Sequence, residues 1–251
     1  MLNTLKIKYY NKRQYIPDIK KALPDKMHRG LPKLDSEKCS QCEKCKTICP
    51  TEAIDLNPLS IDMGKCIFCG DCERVCKTNA ILFTNLNKLS TASRNSLVVT
   101  EKTTPETFLP PAFKVRREIK KYFNKSLKLR QVSAGGCNGC EFELNACSNA
   151  NFDMGRFGIE FVASPRHADG LVITGPITCN MAKALEDAYQ STPNPKVIIR
   201  TGACAISGGL FKDSSAIDRS FLQKYKVDLY IPGCPIHPLT FINGILCFIG
   251  R

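Results

Sequence analysis

Apolar and polar positions follow two different regimes along this sequence of 251 residues. Past residue 131, short apolar runs recur at 159–163, 171–174, 197–200 and 228–232, and Val132 leads into an earlier one. Their lengths suit buried strands. Between them, 141–147, 181–189 and 218–225 carry apolar residues at helical spacing. Strand alternating with helix predicts an α/β layer with a mainly parallel sheet, and in such sheets ligands sit beyond the carboxyl ends of the strands. Before residue 131 the apolar pieces are brief. Ala53-Ile54-Asp55-Leu56 and Ala80-Ile81-Leu82-Phe83 predict two short strands that pair and close a small α+β unit. Residues 113–129 show apolar positions at Val115, Ile119, Tyr122 and Phe123 with Lys and Arg between, an amphipathic helix with a basic outer face that packs on the next domain. Residues 16–23 suggest a short helix in a segment punctuated by Pro17, Pro24 and Pro32, an arm without a core that wraps a neighbour. Four parts result: an arm (1–35), a small unit (36–83), a connector (84–130) and an α/β domain (131–251).

Cysteine explains the small unit. Cys39, Cys42, Cys45 and Cys49 form one C-x2-C-x2-C-x3-C run, and Cys66, Cys69, Cys72 and Cys76 repeat it. This is the run with which bacterial two-cluster ferredoxins hold two [4Fe–4S] cubanes, each fourth cysteine serving the other cluster. By that logic Cys39, Cys42, Cys45 and Cys76 hold one cluster and Cys66, Cys69, Cys72 and Cys49 the other. Zinc also takes four cysteines, but from two separated knuckles more than from a crowded triplet. A disulfide framework belongs to small secreted chains. Pro50 follows the first run, whereas Lys77 stands where the second would carry proline.

Charge is uneven. The formal net charge is +13; residues 1–38 carry 10 basic and 4 acidic side chains and residues 84–136 carry 11 and 3, while residues 137–251 balance at 10 and 10. The basic segments suit an acidic partner subunit or an anionic membrane surface. No ribonucleoprotein or zinc-finger signature accompanies them, so nucleic acid is not expected. The first thirty residues lack a signal-peptide core and no apolar run reaches the length of a membrane span. An intracellular, peripheral chain is the expectation.

Three loops of the α/β domain carry cysteine beside glycine: Gly136-Cys137-Asn138-Gly139-Cys140, Gly202-Ala203-Cys204-Ala205 and Pro232-Gly233-Cys234-Pro235. Two follow a predicted strand, so the loop tips can meet at the sheet edge, where four thiolates make a third [4Fe–4S] site. Cys147 and Cys247 lie in helical or apolar contexts and read as packed thiols, and Cys179 is a loop residue that need not be a ligand.

These loops, together with Ser164-Pro165-Arg166-His167-Ala168-Asp169, Thr174-Gly175-Pro176-Ile177-Thr178 and Ile206-Ser207-Gly208-Gly209, resemble the small, electron-transferring subunit of energy-converting (group 4) [NiFe] hydrogenases. That family is related to the small iron–sulfur subunit of complex I that holds its last cluster. Residues 29–83, from Arg29-Gly30-Leu31-Pro32, resemble the two-cluster ferredoxin-like subunit of the same complexes, so the chain looks like a fusion of both. Complex I relatives carry adjacent cysteines at the first position; here Asn138 and Gly139 separate Cys137 from Cys140, as in the hydrogenase form. Ile236 and Leu239 depart from the family's usual proline and acidic residue.

The resemblance implies a flavodoxin-like domain whose third cluster falls on Cys137, Cys140, Cys204 and Cys234. It implies an electron-transfer subunit of an oxidoreductase complex, not catalytic alone, with three [4Fe-4S] clusters. The partners implied are a [NiFe] hydrogenase large subunit, membrane-embedded antiporter-like and proton-channel subunits, and a soluble ferredoxin or formate dehydrogenase module as electron donor, on the cytoplasmic side of the cell membrane. The alternative is the equivalent subunit of a complex I-like or sulfur-reducing oxidoreductase. A free ferredoxin with an interaction domain would not need the second four-cysteine site. Glu143 matches a family position linked to proton handling and Glu141 is a second candidate; both also suit a helix N-terminus. His237 is placed to tune the third cluster by charge or hydrogen bonding, and His167 to join Arg166 and Asp169 in a structural polar set.

Overall fold

The computed structural model describes residues 2–104 and 126–251. Its larger sheet has five strands: β6 (Leu127–Ser133), β7 (Ile159–Phe161), β8 (Gly170–Thr174), β9 (Val197–Thr201) and β10 (Leu229–Ile231). Every neighbouring pair is parallel, in the order β10-β9-β8-β6-β7. Counted within the sheet, this is the 2-1-3-4-5 order of flavodoxin-like folds, with its switch point between β6 and β8. β8 and β9 are buried along their whole length, as expected of central parallel strands. Their side chains alternate between two cores. Val172, Val197 and Ile199 pack with α4 (Gly139–Ala146) and α8 (Pro238–Phe248) on one face. Leu171, Ile173 and Ile198 pack with α5 (Cys179–Ser191) and α7 (Phe221–Lys224) on the other.

The smaller unit differs from its predicted pairing. β2 (Ile54–Leu56) and β4 (Ile81–Phe83) form, yet they do not pair with each other. β4 pairs antiparallel with β1 (Pro32–Leu34), and β2 with β3 (Leu59–Asp62), which also takes β5 (Val98–Thr100). Each half thus recruits a strand from outside the 36–83 stretch. α2 (Lys44–Ile48) and α3 (Asp71–Val75) carry the third cysteine of each run.

Three other expectations need correction. Residues 16–23 do not form a helix, because the Asp18 carboxylate accepts the N–H groups of Lys20 and Lys21 at 3.1 and 3.2 Å, a turn that competes with helix. This part of the arm wraps its own chain. Ile19 is 2% exposed in the α/β core, a burial worth about 1.5–3 kcal/mol, and its carbonyl accepts from the Asn243 amide at 3.1 Å. The helix instead lies earlier, α1 at Leu2–Asn11, with Leu5, Ile7, Tyr9 and Tyr10 exposed. The helix expected at 218–225 shrinks to α7, because Asp218 holds the Ser220 N–H at 2.9 Å and donates its own N–H to Ile177. Most of the connector helix expected at 113–129 lies outside the described residues; Leu127 and Leu129 belong to β6.

The two units interlock. Ile206, from α6 (Ala203–Ser207), is buried in the core of the smaller unit. Thr91 and Tyr230 exchange backbone hydrogen bonds of 3.0 and 2.8 Å across the edge of β10. Arg94 forks onto Asp62 at 2.8 and 2.6 Å against Gly64, where it meets Ile206.

Candidate iron–sulfur sites

The repeat of 27 residues is written into the backbone. Gln41, Glu43 and Glu52 take positive φ (51°, 59° and 51°), and so do their counterparts Phe68, Gly70 and Asn79 (56°, 79° and 54°). These left-handed residues turn each loop so that successive cysteines face inward; the strain of such φ values in non-glycine residues is typical of functional loops. Ala53 N–H donates to Cys49 Sγ and Ala80 N–H to Cys76 Sγ, both at 3.3 Å, and Phe68 N–H to Cys66 Sγ at 3.3 Å. Donors aimed at sulfur favour the thiolate.

The cysteines gather as the crossed pattern requires. Cys39, Cys42, Cys45 and Cys76 line one small cavity, walled by Leu56, Leu59 and Ile81. Cys49, Cys66, Cys69 and Cys72 line a second, walled by Ile54, Ile61 and Phe83. Among the described residues no disulfide forms, and no three acidic, His or Cys side chains close on a single-ion position. The thiols surround a space instead of a point, which suits a polynuclear group better than one zinc ion.

The third set forms beyond the carboxyl ends of three strands of the larger sheet. Cys137 and Cys140 follow β6, Cys204 follows β9 and Cys234 follows β10. Each of the four thiols lies within electrostatic reach of others of the set: Cys140 with Cys204 and Cys234, Cys204 with Cys137, Cys234 with Cys137. An ideal Cβ at Gly202 would lie 2.6 Å from Cys140 Sγ, so glycine is what admits the thiol. Cys234 also feels Cys69, which makes the second cavity the neighbour of this third set.

Burial pushes the Cys66, Cys72 and Cys140 thiols up to about 12 and Cys204 to about 11, and neighbouring thiolates push the same way. Four thiolates cannot share such a pocket unless positive charge stands between them. All-sulfur donor sets, backbone N–H support and this need for cationic charge fit iron–sulfur clusters in all three places.

Other sequence candidates fall as follows. Glu141 Oε1 accepts from Ser133 Oγ at 2.8 Å and Thr174 Oγ1 at 2.5 Å, tying the ends of β6 and β8 together. Glu143, its carboxyl raised by burial, lines a cavity shared with His28, Arg29, Phe68, Cys234 and His237. His237 Nδ1 caps α8 by accepting the Leu239 N–H at 3.1 Å, and its ring meets His28 edge-on at 4.9 Å. Burial, then the neighbouring His28, lowers it to about 4, so it presents a neutral imidazole and no charge. Asp169 does not serve a polar set around His167; its carboxylate accepts the Lys128 N–H at 2.7 Å. Cys147 is fully buried and donates to Glu143 O at 3.3 Å, and Cys179 is exposed at the start of α5. Sequence reading passed over Arg200 and Arg219, which crowd the Cys204 helix; an arginine ending the apolar run 197–200 was the available signal.

Residues 137–248 match the family described as NADH ubiquinone oxidoreductase, 20 Kd subunit, and residues 31–77 match the 4Fe-4S dicluster domain. An uncharacterized protein of Methanocaldococcus jannaschii is 41% identical over 129 residues, 51% of this chain and 86% of the relative. The probable membrane-bound hydrogenase subunit mbhJ of Pyrococcus furiosus is 36% identical over 134 residues, 53% of this chain and 80% of the relative. Formate hydrogenlyase subunit 7 of Escherichia coli is 41% identical over 136 residues, 54% of this chain and 53% of the relative.

Proposed function

Because this chain belongs to the NADH ubiquinone oxidoreductase 20 kDa subunit family and joins it to a 4Fe-4S dicluster domain, we propose that it is the electron-relaying subunit of a membrane-associated [NiFe] hydrogenase complex. It is an iron–sulfur subunit of an oxidoreductase complex, of the kind shared by hydrogenases and complex I-like enzymes. Our reading gives it three [4Fe–4S] clusters: on Cys39, Cys42, Cys45 and Cys76; on Cys66, Cys69, Cys72 and Cys49; and on Cys137, Cys140, Cys204 and Cys234. Bound there, such clusters supply one-electron chemistry over a wide range of potentials.

The observation that carries the reading is a cavity lined both by Phe68, within the second cysteine run, and by Cys234 of the third set, which supports a relay between the two units. The residues then divide the work. Buried Cys66 and Cys72 shield the second site from water, while exposed Cys42 turns the first site toward a donor such as a soluble ferredoxin or formate dehydrogenase module. Exposed Cys137 and Cys234 open the third site toward a large subunit that carries nickel and iron. Glu143, its carboxyl raised by burial, lines the cavity beside Cys234 and is the candidate for proton handling in this reading. Among the described residues no helix is long and apolar enough to cross a membrane. In this reading the partners in the membrane are antiporter-like and proton-channel proteins, and the chain sits on the cytoplasmic side. We take the two-cluster unit to extend over 31–100, since β1 and β5 complete its sheets.

Metal analysis of the native complex tests the proposal. Nickel in the co-purified large subunit and hydrogen-dependent viologen reduction are expected. A nickel-free complex that still turns over would favour the complex I-like reading, which the matched family's own description supports.

A further inference from the structure

Two arginines of the α/β unit, Arg200 buried and Arg219 half-buried, have no carboxylate in ion-pair contact among the described residues. Arg200 lies in β9 and is 7% exposed. Its Nε and Nη2 donate to Ala205 O at 2.8 and 2.6 Å, and Nη2 also reaches Ile206 O. Arg219 donates Nη1 to Pro176 O at 3.1 Å and to Cys204 O at 3.2 Å, and Nη2 to Ala205 O at 3.0 Å and Ile206 O at 3.1 Å. Both guanidiniums therefore share the carbonyls of Ala205 and Ile206, in the short helix α6 whose second residue is Cys204.

This arrangement is costly as it stands. Burial lowers the Arg200 pKa to about 10, and repulsion from Arg219 adds to the effect; the Tyr230 side chain beside it works the other way but brings no carboxylate. Helix carbonyls supply a partial negative charge of about half a unit, too little for two cations. Buried charges need a full countercharge nearby. It comes from the side of Cys204: Arg219 bonds the Cys204 carbonyl directly at 3.2 Å, and the Cys204 thiolate acts favourably on its charge. A cubane held by four thiolates is formally about −2 when oxidised and gains one more negative charge on reduction.

We propose that Arg200 and Arg219 form a fixed dicationic clamp that stabilises the reduced state of the cluster held by Cys137, Cys140, Cys204 and Cys234, raising its midpoint potential above that of the same site without them. The inference rests on the reading of those four cysteines as a cluster site. The clamp acts by charge through the backbone of α6, and the two clusters of the smaller unit do not feel it in the same degree.

The test is a redox titration of the full chain in its anaerobically purified complex, followed by electron paramagnetic resonance, with iron and acid-labile sulfide measured in parallel. Arg219→Gln and Arg200→Gln keep hydrogen-bond donors and remove charge. Each is expected to retain about twelve iron atoms per chain. Each should lower the reduced-to-oxidised ratio of the third cluster about tenfold at a given potential, which is about 59 mV for one electron. Arg219→Lys should hold the ratio near that of the parent, and exposed Lys224→Gln should leave it unmoved. A third cluster whose midpoint ignores both Gln variants overturns the clamp, and so does an equal shift in Arg219→Lys, which would make geometry the cause. If one Gln variant loses the cluster, the other decides; loss in both, shared by Arg219→Lys, makes the arginines helix supports and overturns it as well. A parent complex with no third cluster signal defeats the site assignment instead, and is recognised by iron near eight per chain on the same stoichiometry, about four per cluster.

Discussion

Gly202→Ala separates the third cysteine group from the other two. Gly202 ends β9 and precedes α6 with φ 87° and ψ 154°, a backbone region that is close to glycine-only. Forcing alanine there costs about 1–3 kcal/mol. The added methyl would stand 2.6 Å from Cys140 Sγ. Non-bonded contacts settle near about 3.5–4.0 Å, so the thiol must retreat by about 1 Å. A displacement of that size takes Cys140 out of reach of the centre it shares with Cys204 and Cys234. Iron in the anaerobically purified chain should fall from about twelve to about eight atoms, with the resonances of two clusters retained. The thermal midpoint should fall by about 2–4 °C for each kcal/mol lost. Gly155→Ala is the control, because the nearest atom to its new methyl is Asp153 Oδ1 at 3.9 Å; it should keep all its iron. Full iron content and an unchanged third cluster in Gly202→Ala would refute the reasoning, and so would equal loss from all three sites.

Cys76→Ser should damage the cluster held by Cys39, Cys42 and Cys45 before that of its own run, because Cys76 lines their cavity; resonance spectra of the variant check which signal changes. Cys147→Ala should leave iron unchanged and lower stability by about 1–2 kcal/mol, read by denaturant titration, since it removes a fully buried sulfur outside all three sets. Cys247→Ala should likewise keep its iron. His237, lowered to about 4 when folded against an ordinary 6.5, binds fewer protons in the folded state between those values, so its contribution is present above 6.5 and is lost as pH falls toward 4. The stability difference between the parent and His237→Asn, which keeps a cap for α8, should therefore shrink from about pH 7.5 to about pH 5.5 in paired thermal melts.

Much of this architecture is legible in residue order because its signals are local. The apolar runs of β8 and β9 announce central parallel strands, and the spacing of Cys39 to Cys76 announces its repeat without any knowledge of tertiary contacts. What stays hidden is non-local. Nothing near Ile54 or Ile81 says that their strands take partners from residues 32–34 and 59–62. Three-residue strands carry too little side-chain pattern to choose a neighbour. Residues 16–23 look helical until the Asp18 carboxylate is allowed to compete for backbone N–H groups. Glu141 reads as a helix-terminal acid, and its clamp on Ser133 and Thr174 appears only once β6 lies beside β8. Arg219 sits in a polar stretch that gives no hint of burial against α6.

The hydrogen bond from Asn243 to the Ile19 carbonyl joins residues 224 apart in the chain. During synthesis Ile19 leaves the ribosome long before α8 exists to receive it, and domains generally fold as units from the N-terminus. The smaller unit has all the cysteines of its two cavities by residue 76 and its last strand by residue 100, so most of it is made before the α/β domain is translated. The arm must wait. Its closing over α8 is therefore a late event, a latch that fastens only after the last helix has emerged, and a nascent chain stalled before residue 238 holds an open arm with Ile19 still seeking its apolar seat.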